Sequence, residues 1–194
     1  MPTRLTLLCH GSTAALRSAA FPLDEALESR AMEQAKALQG AIRRPDHVWT
    51  SPALRARQTA DALGFRAVAD EALRECDYGR WSGRSLGEIQ GEEPDNVAAW
   101  LADMEAAPHG GEPISAVLRR VAAWLDQHRQ EGGHSLVVTH ASVIRAAILV
   151  VLAAPARSFW SIDIGPLSLT DLRSDGMRWT WRALGLGVWK EAGE

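Results

Sequence analysis

With only two cysteines, Cys9 and Cys76, in 194 residues, the chain lacks a disulfide framework. Such usage fits reduced thiols and a cytoplasmic setting. Strong charge is also missing. There are 21 Lys and Arg against 24 Asp and Glu, a formal net charge of -3. Polyanion binding needs a clear basic excess on one face, so nucleic acid is not an expected partner. No uninterrupted apolar run is long enough for a membrane span. The longest, Leu136 to Ala154, contains His140 and Arg145. It reads as a buried strand followed by a helix. Near the start, Leu5-Thr6-Leu7-Leu8 is too short for a signal-peptide core. Leu8 is also too large to precede a lipid-attachment cysteine. No Cys or His pair has the spacing of a structural zinc site, so no metal is expected. A set of Cys9, His10, Cys76 and His140 is the only zinc arrangement to be imagined. Internal repeats, low-complexity tracts and linkers are absent too.

What remains is a chain that is 46% hydrophobic. That suits one compact domain, which typically runs to ~100–200 residues. Such a length buries enough core to need neither disulfides nor metal. Leu5 to Cys9 and Ser135 to Thr139 read as buried central strands. His47 to Thr50 is a shorter strand, and Arg66 to Val68 a third. A helix is expected over 27–41, where Leu27, Ala31, Ala35 and Leu38 recur at helical spacing. Another follows Ser51-Pro52, with Ser51 as cap and Pro52 in its first turn. Residues 74–84 mix glycine, aromatic and charged residues without a period, as a loop does. Helices are expected over 85–90, 94–105, 113–130 and from Ala141 to about Leu152. Alternating segments near 158–163, 167–173 and 177–183 end the chain, with Asp175-Gly176 turning a hairpin. This order predicts an α/β fold, a three-layer sandwich with a mixed, mostly parallel sheet flanked by helices. Sites in such sheets gather beyond the carboxyl ends of the strands. His10 and His140 stand at two such ends.

Phosphoryl transfer needs a nucleophile, groups that hold the phosphoryl oxygens, and an acid for the leaving group. A neutral imidazole can attack phosphorus, and His10 is the candidate. Gly11 would let the backbone approach the phosphate. His140 could donate a hydrogen bond to a phosphoryl oxygen. Arg55, early in the helix after Thr50, could fork onto two oxygens. Arg57 is the solvent-facing counterpart. Glu75 is the acid candidate, since partial burial near Leu73, Tyr78 and Trp81 would keep a proton available. Cys9 is not the nucleophile of a Cys-x₅-Arg loop, because Ala15 stands where that arginine belongs. At a strand end it reads as a small hydrophobe.

Together these residues resemble the histidine phosphatase superfamily, also called phosphoglycerate-mutase-like. The family's Arg-His-Gly-x-Thr opening stands here as Cys9-His10-Gly11-Ser12-Thr13. Its Ser-x-x-x-Arg-Ala-x-Gln-Thr-Ala helix spans Ser51 to Ala60, and its Leu-x-Glu loop spans Leu73 to Gly83. Gly110-Gly111-Glu112 and Val138 to Arg145 complete the ordered set. The resemblance implies that His10 becomes phosphohistidine, that Arg55 and His140 bind the phosphoryl group, and that Glu75 protonates the leaving oxygen and then activates water. Gly11, Thr13 and Ala141 fill out the expected phosphate-binding set. It implies no cofactor, a helical cap around 76–115, and a small phosphorylated metabolite as substrate. Trp81, Trp100 and His109 are candidates to line that pocket. A homodimer is a further expectation.

Cys9 departs from the pattern by replacing the motif arginine. Losing one preorganised donor costs ~3–4 kcal/mol of barrier, or ~10²–10³ in rate. Arg17 is the candidate replacement. The implied activity is therefore hydrolysis of a phosphomonoester, with slight leanings toward ribazole phosphatases. A feebly active phospho-ligand binder and a phosphomutase are the alternatives.

Overall fold

The computed structural model describes residues 2–182. Strands β1 (Thr3–Cys9), β2 (His47–Thr50), β3 (Val68–Ala69), β4 (Gly133–Thr139), β5 (Leu169–Ser174) and β6 (Trp179–Arg182) form one sheet. Its order is β3-β2-β4-β1-β5-β6. The first four strands in that order run parallel; β5 is antiparallel to β1, and β6, at the other edge, is antiparallel to β5. The expected mixed, mostly parallel sheet is present.

Side-chain alternation along the central strands builds the layers. Leu5, Leu7 and Cys9 of β1 point one way, with Val137 of β4. There they meet α6 (Ile114–His128), through Val117, Val121 and Leu125, and α7 (Ala141–Leu152), through Ile144 and Ala147. Leu8, Leu136 and Val138 point the other way, onto Ala56, Ala60 and Leu63. Those belong to α3 (Leu54–Ala62) and its end, against which α2 (Ser29–Ala37) packs. Each fully buried leucine or valine is worth about 1.5–3 kcal/mol relative to exposure. The two faces together pin β1 and β4 at the centre.

A smaller cluster lies under the expected cap. Helices α4 (Leu86–Glu92) and α5 (Pro94–Ala102) bring Ile89, Val97 and Trp100 onto Phe21 and Trp81. Ser85 and Glu88 close α4 with a reciprocal capping box. Pro94 opens α5, where its missing N–H costs nothing.

Several boundaries differ from the sequence reading. Helix α2 begins only at Ser29, because the Leu27 N–H donates to the Gln58 side chain at 2.8 Å. It stops at Ala37, and 38–41 form turns. Helix α3 begins at Leu54, so Pro52 lies before it rather than in its first turn. Residues Ala156–Ser161 form a 3₁₀ helix instead of an extended segment. The hairpin at Asp175-Gly176 stands as read, and residue 183 of its second arm lies outside the described residues. No helix among the described residues is long and apolar enough to cross a membrane.

Candidate active site

β1 and β4 pair in register, Cys9 opposite Thr139. His10 and His140 therefore leave two adjacent strands at the same height. The His10 N–H donates to the Thr139 carbonyl at 2.9 Å, which fixes that level. Their rings stand 5.1 Å apart at 66°.

The tautomer of His10 follows from its partners. Nδ1 lies 2.7 Å from the Gly11 carbonyl, which can only accept, so Nδ1 carries the proton. Nε2 is left with its lone pair, and Arg55 Nε donates to it at 3.2 Å. Burial, then the Arg55 guanidinium, push the His10 pKa below the usual imidazole value. His10 is thus held as a free base with Nε2 beside a buried cation.

Arg55 comes from the first turn of α3 and is 3% exposed. Nη1 donates to the Leu23 carbonyl at 2.9 Å, and Nη2 lies 3.8 Å from Glu75 Oε2. His140 is wholly buried. Its Nε2 meets the Ser51 hydroxyl at 2.7 Å, while Nδ1 lies 3.4 Å from Glu75 Oε2 without a hydrogen-bond partner. A Ser51 O–H donating into Nε2 assigns the ring's one proton to Nδ1, on the Glu75 side. Burial first, then His10 and Arg55, hold the His140 pKa well below its ordinary value. A neutral His140 can donate once, from Nδ1.

Glu75 leaves its loop with Oε1 accepting from the Cys76 N–H at 3.0 Å and from the Ser142 hydroxyl. Oε2 faces both Arg55 and His140. The loop is held from behind. Gly79, at φ +48°, and Gly111 press backbone on backbone, and a Cβ on Gly111 would lie 2.1 Å from the Asp77 carbonyl oxygen. Glu112 grips Arg120 at 2.9 Å, and Arg120 donates to the carbonyls of Ala72 and Glu75 at 2.8 and 3.3 Å. The Gly-Gly-Glu segment therefore fixes where Glu75 stands.

A small cleft of about 110 Å³ opens over these groups. Cys9, His10, Thr13, Arg55, Glu75 and Ala141 line its floor. Ala141 is the first residue of α7, so the positive end of a 12-residue helix borders the cleft. Thr13 is buried and caps the short helix α1 (Ala14–Arg17) by accepting from the Leu16 N–H.

Two expected residues stand elsewhere. Gly11 does not line the cleft. A Cβ there would meet Ala31 and Leu27 at 3.2 Å, so its small size admits α2 against the end of β1. Arg17 is not brought to the site. Its side chain is 77% exposed and pairs with Glu28 at 2.8 Å. Trp81, Trp100 and His109 are buried in packing and line neither cleft beside Glu75. Ser51, Ser142, Glu112 and Arg120 are supporting residues whose roles were missed. Ser51 had been read as a helix cap, and only its place in the Ser-x-x-x-Arg string hinted at more.

His10, Glu75 and His140 offer donor atoms within 4.8 Å of one another, close enough to suggest a metal. The set does not fit one. Nδ1 of His10 is committed to Gly11, and the buried Arg55 guanidinium beside Nε2 and Glu75 would repel a metal cation held there. The zinc set with Cys9 and Cys76 fits no better. Among the described residues, neither cysteine falls in a ligand cluster with the two histidines.

His10, a buried arginine and a carboxylate thus meet at a cleft beyond the carboxyl ends of β1 and β4, with His140 buried behind Glu75 rather than lining it. The pattern of the histidine phosphatase superfamily (branch 1) matches residues 5–186, and the chain belongs to that family. A bifunctional protein of Mycobacterium tuberculosis is 32% identical over 188 residues, covering 90% of this chain and 52% of that protein. The chain thus spans about half the length of that relative. The adenosylcobalamin/alpha-ribazole phosphatase of Salmonella typhimurium is 32% identical over 174 residues, covering 83% of this chain and 85% of it. Among solved structures, mycobacterial glucosyl-3-phosphoglycerate phosphatase with VO3 superposes with a TM-score of 0.82 at 28% identity, over 92% of this chain and 96% of that one. The alpha-ribazole phosphatase of Shigella flexneri gives 0.82 at 26% identity, over 93% of this chain and 95% of that one.

Proposed function

We propose that the chain hydrolyses a phosphomonoester of a small metabolite through a phosphohistidine on His10. The carrying observation is the state of His10, a buried free base with its Nε2 lone pair beside Arg55 and the cleft. Nε2 attacks phosphorus and the ester P–O bond breaks. Glu75 delivers a proton to the departing alkoxide. Arg55 and His140 Nδ1–H hold the phosphoryl oxygens, aided by the start of α7. Water then attacks phosphorus while Glu75 takes its proton; the N–P bond breaks, its electron pair returns to Nε2 of a neutral His10, and phosphate is freed. The relatives named as phosphatases of small phosphorylated compounds support this reading.

Cys9 favours a second reading, a member that binds phospho-ligands with little turnover. Against it, binding alone has no use for Glu75 poised between Arg55 and His140. Phosphate release from p-nitrophenyl phosphate separates the two, comparing wild type with His10→Ala. Turnover that disappears in the variant is expected. Equal rates in both would sink the phosphohistidine route. Two free, buried thiols fit a cytoplasmic setting. A homodimer belongs with this proposal, and light scattering checks it.

A further inference from the structure

We propose that the leaving group of the substrate is apolar and carries no negative charge, an alkyl or aryl alcohol rather than a hydroxy acid. This rests on the phosphatase reading and narrows it to a substrate class.

Beyond its phosphate-handling floor, the cleft is walled by Ala15, Leu16, Ala20, Pro22, Ile164 and Pro166. None of these side chains carries a charge or a hydrogen-bonding group. Leu16 is 53% exposed at the rim, an apolar side chain with open space before it. Among the described residues, Arg55 is the one cation lining the cleft, and the phosphoryl group claims it. The motif position that would supply a second cation holds a neutral thiol.

A second, shallower cleft meets the first at Pro22, Arg55 and Glu75. Its charged additions are Asp24, Arg74 and Asp77. Arg74 is already paired with Glu112 at 3.2 Å. A leaving group directed that way meets two carboxylates and an engaged guanidinium. In either direction a carboxylate on the leaving group would shed hydration without gaining a cation. Discrimination comes from that penalty as much as from apolar contact.

Phosphonates test the class without turnover, because their C–P bond does not hydrolyse. Wild-type protein is titrated calorimetrically with phenylphosphonate and with phosphonoacetate. Phenylphosphonate should bind about tenfold or more tightly, the discrimination typical of an apolar pocket. In Leu16→Lys, which places a cation at the rim, phosphonoacetate should gain and the ratio fall toward one. Equal affinities in wild type, preference for phosphonoacetate, or no binding of either overturns the inference. A ratio unmoved by Leu16→Lys overturns its assignment to this cleft. Failure here is distinguishable from failure of the phosphatase reading. A protein that turns over p-nitrophenyl phosphate through His10 yet prefers phosphonoacetate keeps the activity and loses the class.

Discussion

Protonating His10 would put a hydrogen on the lone pair that must attack phosphorus. Burial and Arg55 both resist that proton, so the nucleophile stays available below the ordinary imidazole range. The kcat/KM for p-nitrophenyl phosphate should stay level from pH 8 to 6.5, its acid limb lying lower. A limb centred at or above 6.5 would contradict the geometry around Nε2. Cys9, pushed up to about 12 by burial, is a neutral thiol at any working pH. Iodoacetamide at pH 8 should therefore leave activity intact, as thiolate is the reactive form. Cys9→Arg, reaching from the cleft floor, should raise kcat/KM by about 10²–10³ by restoring a phosphate donor. No gain would mean that the start of α7 and Arg55 already suffice. At this scale the sequence was readable where a residue ends a buried run, as His10 and His140 do. It named Arg17 as the replacement cation but could not give its facing, because α1 is too short to be read from a period, and Glu28 captures the guanidinium.

Elements are where tertiary contacts overrode local signals. Ser51 looked like the cap of α3. Its hydroxyl accepts from the Ala53 N–H at 3.2 Å, just ahead of the helix, but also serves His140, and the Leu54 N–H is satisfied by Asp24, 30 residues away, at 2.7 Å. No local pattern encodes such a partner. The strands β1 and β4 were legible because burial on both faces leaves an unbroken apolar run. The 3₁₀ helix at Ala156–Ser161 was not, since a short apolar segment reads alike in either period. Two glycines carry element-scale consequences. Gly11→Ala puts a methyl 3.2 Å from Ala31 and Leu27, which must give by a few tenths of an ångström, and should lower Tm, as overpacking does. Gly111→Ala collides with the Asp77 backbone and displaces the loop bearing Glu75. Its kcat should fall far more than its phenylphosphonate affinity, because that loop supplies the proton rather than the phosphate grip. Parallel losses in both would place the loop's role in binding.

Over the whole molecule, four buried histidines are held neutral. His109, lowered by burial, and His134, lowered to about 4 by burial and then by Arg4, join His10 and His140. Thr6 donates to Asp171 at 3.1 Å, so the 3.0 Å contact makes His134 Nε2 the donor to Thr6, and Nδ1 has no partner to welcome a second proton. An unfolded chain protonates these rings from about 6.5 downward, whereas the folded one does not. Their stability is full above that pH and is lost as pH falls toward 4, at up to about 1.4 kcal/mol per pH unit for each ring. The urea midpoint should drop between pH 7.5 and 5. A midpoint that rises on acidification would mean that these rings are charged in the folded state.

The in-register pairing of β1 with β4 also sets a clock on the molecule. The amide of His10 is tied across the sheet's centre to Thr139, so it can meet solvent deuterium only when the core comes apart. The chemistry is thereby anchored to the slowest-breathing part of the chain. On heating, activity should persist until the cooperative melt and vanish with it.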